Sequence, residues 1–521
     1  MTKSEFIDKK IEKLKKIDKD YYYNNFSKQL LAYKLHADII KTYKLDYLWK
    51  KILIVISSSC FVLKENLESK IALKSIYRVA NILENISEIE EHSNQFDLDY
   101  LRLLSAICYD VSGYQANAFC IAKKMHDYEL RTNSEINLNE DNIIINLFIN
   151  VLLKKIPTIR QIVIRELKKQ NLSEEFEQLL FGFKAWSNQI LNLDEDDNIL
   201  SYFEDAYSLY LHTGNVYISQ LILLFLIRIR MYKNRSICLK LKDLTTKNSI
   251  WSKYVKLLSN DYYEDYNKIK DIDDKKSIFE FWTSQIRALD DGLLTKDESF
   301  VVQMPTSAGK TFIAELFILK NLINTQKKVL YISPFRALAT EKVDEIGKYF
   351  SYLGYKVTSS TGSYEYEPMF DTIFDDSDVY ILTPEKADSI LRMNPDFFNN
   401  IGAIVIDEGH IIGDLNARAA LTELLIIKLN INYPNIKKLF ISAVMPPINA
   451  GEYAKWLSGN KSNVLRSKLF KDSEINEEWE PTRKNIGYFE WKKKERGQYN
   501  GQRVFSNVTD YFTENEPSIF I

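Results

Sequence analysis

The chain has 521 residues, 45% of them apolar, which is too long for one ordinary domain and supplies enough apolar material for several packed cores. A formal net charge of only −2 excludes an overall positive field as the means of attracting a polyanion, so any such surface has to be local. The four cysteines, Cys60, Cys108, Cys120 and Cys238, are too scattered for a zinc site or a disulfide framework and read as buried thiols of a reducing compartment.

The first residues set lysines and acidic groups around Phe6, Ile7, Ile11 and Leu14. This is an apolar stripe at helical spacing, unlike the unbroken apolar core of a signal peptide. The longest apolar runs, 52–56 and 221–227, fall well short of the roughly 20 residues that span a bilayer. No membrane segment is predicted, and a cytoplasmic location is expected.

Residues 1–266 are poor in Gly and Pro and carry apolar residues at helical spacing, which predicts an all-α region. Within it, 109–122 and 207–221 look alike: an aromatic-bearing helix, a glycine near a turn, then a second apolar helix. Such pairs leave open a repeat-like helical array and an irregular bundle. The acidic, lysine-rich stretch 267–277 reads as a linker, since little in it gains from burial. From Ser299 the texture changes, with short β-branched runs at 300–303, 329–332, 357–359, 379–382, 403–406 and 439–442 alternating with helix-length segments. That alternation predicts an α/β domain over 278–460, a parallel sheet with helices on both faces.

After the first predicted strand, and opening a predicted helix, comes Met304-Pro305-Thr306-Ser307-Ala308-Gly309-Lys310-Thr311. A phosphate-binding loop needs that context. The small residues Thr306, Ser307, Ala308 and Gly309 let successive backbone N–H groups turn toward phosphates. Lys310 brings a point charge to the β and γ phosphates, and the Thr311 hydroxyl suits a magnesium ion. The first position is Met304 where the general pattern has glycine, and the loop alone fits many nucleotide-binding folds. Further on, the apolar run 403–406 leads into Asp407-Glu408-Gly409-His410. Carboxylates at the carboxyl end of a parallel strand face the crevice where ligands bind. Asp407 would hold the metal, Glu408 would orient and polarise the attacking water, and His410 stands beside them.

These segments combine with Ser333-Pro334-Phe335-Arg336-Ala337-Leu338, Thr361-Gly362, Leu382-Thr383-Pro384-Glu385-Lys386 and Ser442-Ala443-Val444-Met445-Pro446. In that order and spacing the chain resembles superfamily 2 helicases, the Ski-like DExH-box branch in particular, over 278–521. The resemblance implies a RecA-like P-loop fold for 278–460, ATP and Mg2+ as cofactors, and ATP hydrolysis. It implies a single-stranded or tailed nucleic acid, DNA or RNA, as partner. It assigns Gln285, in Phe281-Trp282-Thr283-Ser284-Gln285, to the adenine edge. It assigns Arg336, Thr361, Gly362, Thr383, Pro384 and Glu385 to a backbone grip that reads no sequence. Ser442 and Ala443 are implied to couple nucleotide state to strand movement. Ser363 follows Thr361-Gly362 where many members carry an acidic residue.

Residues 461–521 resemble the beginning of a second RecA-like domain, with Trp479-Glu480-Pro481-Thr482-Arg483 and a β-like 485–491 ahead of Pro517-Ser518-Ile519-Phe520-Ile521. The chain is therefore expected to be a truncated product, a split gene product or the ordered part of a longer polypeptide. Arginines from an opposite lobe contribute on the order of 10³–10⁵ in rate in related enzymes, so this chain alone is expected to bind ATP and hydrolyse it weakly. Lys492, Lys493 and Lys494 read as a solvated hairpin tip or a nucleic-acid contact. The leading expectation is an ATP-dependent helicase or translocase whose helical N-terminal region recruits a protein partner or a particular substrate. The alternatives are a nucleic-acid-stimulated switch or clamp without unwinding, and a helical scaffold with a decayed motor. Intact Lys310, Asp407 and Glu408 count against the scaffold.

Overall fold

The computed structural model of the chain describes residues 3–19, 45–88, 97–132, 139–191, 198–259, 277–304, 308–360, 377–412, 416–443, 447–461, 463–466, 486–493 and 499–506. The chain divides into two compact units, Met1–Tyr232 with Pro481–Ile521, and Lys233–Glu480. Among the described residues no helix is long and apolar enough to cross a membrane.

The N-terminal part of the first unit is helical, as expected: α1 (Lys3–Asp18), α2 (Leu45–Glu65), α3 (Lys70–Ser87), α4 (Leu98–Ser112), α5 (Gln115–Thr132), α6 (Glu140–Leu152), α7 (Ile156–Glu166), α8 (Glu174–Ile190), α9 (Ile199–His212) and α10 (Val216–Arg235). From α1 to α9, consecutive helices pack on one another. Asp97, Asn139 and Ser173 fix helix starts by accepting from backbone N–H groups of the first turn.

The two look-alike segments both turn on a left-handed glycine, Gly113 (φ 96°) and Gly214 (φ 80°). In each, the next amide donates back across the turn, to Tyr109 O at 2.8 Å and to Tyr210 O at 3.0 Å. A third turn of this pattern joins α6 to α7, with Lys154 at φ 60° and Lys155 N–H on Asn150 O at 2.9 Å. The same turn recurs in the second unit at Gly292 and Gly354, so it is a general helix ending and leaves the repeat-like array and the irregular bundle both open. The core of this unit gathers Phe148, Phe183, Phe203 and Phe225 from α6, α8, α9 and α10, ring against ring at 5.2–5.5 Å.

The second unit opens with α11 (Ile237–Lys240), α12 (Lys242–Lys247), α13 (Ser249–Ser259) and α14 (Thr283–Asp290). Trp251, Tyr254 and Leu258 of α13 share one hydrophobic core with Phe281, Phe312 and Phe317. The expected boundary at 266 is thereby corrected: helices 237–259 belong with the sheet, and the units part after Tyr232. The expected linker lies largely at 260–276, outside the described residues.

The sheet has strands β1 (Phe300–Gln303), β2 (Lys328–Ile332), β3 (Val357–Ser360), β4 (Val379–Leu382), β5 (Ile401–Ile406), β6 (Lys437–Ser442) and β7 (Val464–Arg466). Their order is β3-β4-β2-β5-β6-β1-β7, parallel throughout. Helices α15 (Lys310–Thr325), α16 (Arg336–Tyr352), α17 (Pro384–Met393), α18 (Ala417–Asn432) and α19 (Pro447–Ser458) connect them. Alternate strand residues enter two separate cores. Val302, Val329 and Tyr331 join Ile313, Phe317 and Ile346 on one face, and Val301, Leu330 and Ile332 join Leu391, Leu425 and Ala450 on the other. Such double burial is why these strands read as continuous apolar runs.

β7 corrects the expectation for 461–521. It pairs in parallel with β1, Val302 opposite Leu465, and so completes the first sheet. Beyond it, β8 (Ile486–Lys493) and β9 (Tyr499–Ser506) form an antiparallel pair, with Lys492 and Lys493 at the end that the expected hairpin tip requires. Residues 507–521, including the expected closing strand, lie outside the described residues.

Candidate functional site

β5, β6 and β1 lie side by side, so the loops leaving their carboxyl ends open on one crevice. Residues 305–307 lie outside the described residues, and with them the expected roles of Thr306 and Ser307. Ala308 is buried, and Gly309 (φ 79°, ψ 33°) caps α15 in the left-handed region. A Cβ on Gly309 would stand 2.1 Å from Gln285 Nε2, so only glycine fits. Gln285 braces this turn: its Oε1 accepts from Trp282 N–H (2.8 Å) and its Nε2 donates to Gly309 O (3.3 Å). Ser284 Oγ adds a bond to Ala308 O (2.9 Å). Any adenine contact by Gln285 has to share the amide with this brace.

At the end of β5, Asp407 accepts from Tyr331 Oη at 2.6 Å and, through its other oxygen, from Glu408 N–H at 2.9 Å. Glu408 sits in the left-handed region (φ 49°, ψ 42°), a conformation that costs a non-glycine residue roughly 1–2 kcal/mol. The Asp407 hydrogen bond offsets part of that cost. A Cβ on Gly409 would meet the Phe440 ring at 2.3 Å, so β6 packs directly on the backbone of this box. His410 Nδ1 lies 3.3 Å from Glu408 Oε2. Burial lowers the Lys310 pKa, the nearby Glu408 and Asp407 oppose that shift, and Lys342 adds to it. Lys310 Nζ donates to Met304 O at 3.4 Å, which folds the side chain back over its own turn.

Lys342 is a residue that sequence reasoning missed. From α16 its Nζ donates to Thr311 Oγ1 at 2.9 Å and pairs with Glu345 at 2.5 Å. Nothing in the sequence distinguishes it from other helix-surface lysines, and only the packing of α16 beside α15 turns it to the site. The Thr311 hydroxyl and Asp407 carboxylate are hard oxygen donors of the kind magnesium takes. Together with the Gly309 turn and the Lys310 cation they fit ATP and Mg2+.

One turn beyond Thr311, the buried Glu315 accepts from Tyr254 Oη at 2.9 Å. Burial pushes its pKa from 4.5 up to about 7, with Glu345 adding to the rise and Tyr254 and Lys342 opposing it. The folded chain thus holds a proton that the unfolded chain releases. The stability this contributes is full below about 4.5 and is lost as pH rises through about 7. Glu315→Gln should flatten the pH dependence of the melting temperature across that interval. Parallel profiles for variant and wild type would contradict the assignment.

Of the residues implied to grip a strand, Arg336 is exposed at the first turn of α16. Thr383 is only 4% exposed, and its hydroxyl caps α17 by accepting from Lys386 N–H at 3.4 Å. With the buried Pro384 it shapes the turn that opens α17. Glu385 is paired with Arg418 at 2.6 Å. Thr361 and Gly362 lie outside the described residues. Ser442 is buried, and its carbonyl accepts from Met304 N–H at 3.4 Å, tying the end of β6 to the strand before the phosphate loop. Ala443 is half-buried beside it.

The DEAD/DEAH box helicase family model matches residues 282–452. The chain is similar to Hachiman protein HamB of Bacillus cereus, 36% identical over 228 residues, 43% of this chain and 20% of that protein. It is similar to ATP-dependent DNA helicase Hel308 of Methanococcus vannielii, 34% identical over 203 residues, 37% of this chain and 26% of that protein. Among solved structures, the DUF1998 helicase MrfA bound to DNA is 24% identical, covering 37% of this chain and 28% of that one, with a TM-score of 0.30. The chain spans about a quarter or less of these curated relatives. The ordered motifs and the family match fall on the same stretch: residues 282–452 match the DEAD/DEAH box helicase family model, and the Gly309–Lys310 turn and the Asp407–Glu408 box lie within it.

Proposed function

We propose that the chain supplies the nucleotide-binding lobe of an ATP-dependent nucleic-acid helicase or translocase of the Ski-like branch, completed by a second lobe. The observation that carries this reading is the placement of the Gly309–Lys310 turn after β1 and the Asp407–Glu408 turn after β5, both at carboxyl ends of strands in one parallel sheet. The backbone N–H groups opening α15 face the phosphates, and Lys310 neutralises charge on the β and γ groups. Thr311 and Asp407 would hold Mg2+, which when bound would supply charge neutralisation on the phosphoryl oxygens. Glu408 takes a proton from the attacking water as its oxygen bonds to the γ phosphorus and the bridging oxygen leaves with ADP. His410, at 3.3 Å, holds the Glu408 carboxylate in place.

Hydrolysis needs the opposite lobe, so the chain alone binds ATP and turns it over slowly. The name of the Hel308 relative favours DNA as the strand. The test is ATP hydrolysis by a polypeptide carrying both lobes, with and without single-stranded DNA or RNA, beside strand displacement on a tailed duplex. Strand-stimulated hydrolysis with displacement is expected. Stimulation without displacement would move the reading to a clamp, and no stimulation by either nucleic acid would sink it.

A further inference from the structure

The order β4-β2-β5 brings together three side chains from three different loops. Phe335, after β2, is a large apolar ring left 47% exposed at the start of α16. Arg418, at the start of α18, places its guanidinium carbon 5.8 Å from the centre of that ring. Glu385, in the first turn of α17, accepts from Arg418 Nε at 2.6 Å. Arg418 is 44% exposed and Glu385 16%.

We infer that Phe335 and Arg418 form a two-part grip on a single nucleic-acid strand, in which Phe335 stacks a base, Arg418 takes a backbone phosphate, and Glu385 stands in for that phosphate while the strand is absent. This rests on the proposed helicase function and adds residues to it. An exposed aromatic ring beside a cation matches a nucleotide, which presents a π-face and an anion a few ångströms apart. In the pair with Glu385, Arg418 is the solvent-facing partner, so a strand phosphate can reach its guanidinium from outside. A phosphodiester offers the guanidinium the same two-oxygen geometry as a carboxylate and adds the release of counterions from the strand. Glu385 is then a competitor for Arg418 and not a strand contact, which gives that residue a role the motif resemblance did not.

The test is fluorescence anisotropy of the full chain with a labelled oligothymidylate and with its abasic counterpart, at several salt concentrations. Phe335→Ala should weaken oligothymidylate binding roughly 5- to 100-fold, leave the salt dependence unchanged, and have no effect on the abasic strand. Arg418→Ala should weaken both strands and reduce the slope of log affinity against log salt by about 0.7, the value for one single-strand phosphate. Arg418→Lys should keep that slope, and Glu385→Gln should tighten both strands. An unchanged slope in Arg418→Ala, an equal loss on both strands in Phe335→Ala, or no gain in Glu385→Gln would overturn the grip while leaving the helicase reading intact. A wild-type chain that binds neither strand would overturn both.

Discussion

Glu408→Gln should lower ATP turnover of the completed motor by about 10²–10⁴-fold, the range for removing a general base, while nucleotide binding stays near wild type. The amide keeps the shape of the side chain and a contact with His410 but neither accepts the water proton nor carries charge. It has a second consequence. Glu408 opposes the burial that lowers the Lys310 pKa, so its neutralisation lets that pKa fall further. Nucleotide affinity in Glu408→Gln should therefore decline at a lower pH than in wild type as Lys310 loses its proton. Steady-state hydrolysis read beside equilibrium binding across pH checks both. A variant that keeps more than about a tenth of wild-type turnover would exclude Glu408 as the base.

The second large effect lies in the helical unit. Arg228 and Asp110 are both buried and paired at 2.6 Å. Arg228→Leu strands a carboxylate in the core, a loss of roughly 3–5 kcal/mol. For a unit of this size that is a fall in melting temperature of roughly 10 °C. Replacing both, Asp110→Leu with Arg228→Leu, should recover most of the loss, because a packed apolar pair replaces a buried ion pair at little net cost. Thermal unfolding of the single and the double variant beside wild type decides. A single variant that melts with wild type would show that the pair is open to water.

The sheet was legible because doubly buried parallel strands leave apolar runs, and six of them lie within a few residues of the expected places. β7 was not, since Val464–Arg466 is three residues long and gains its identity only by pairing with β1. The positions of the Gly309 turn opening α15 and of the acidic turn after β5 were legible because each directly follows or precedes a strongly patterned element. Lys342, Tyr254 and Arg418 were not, because each acts on a residue at least 31 positions away and is chosen by packing. The same holds for Asp110 with Arg228, 118 positions apart. The boundary was misplaced for a related reason. α13 has the helical texture of the residues before it, and only its contacts with Phe281 and Phe312 assign it to the nucleotide-binding unit. Thr383 carries a further structural role that the motif did not reveal, as the N-cap of α17.

The most direct test is equilibrium binding of a fluorescent ATP analogue with Mg2+ to the 521-residue chain, wild type beside Lys310→Ala and Glu408→Gln. Saturable binding that is lost in Lys310→Ala and kept in Glu408→Gln is the predicted result. Failure of the wild-type chain to bind, or binding by Lys310→Ala equal to wild type, would contradict the assignment of this crevice to the nucleotide.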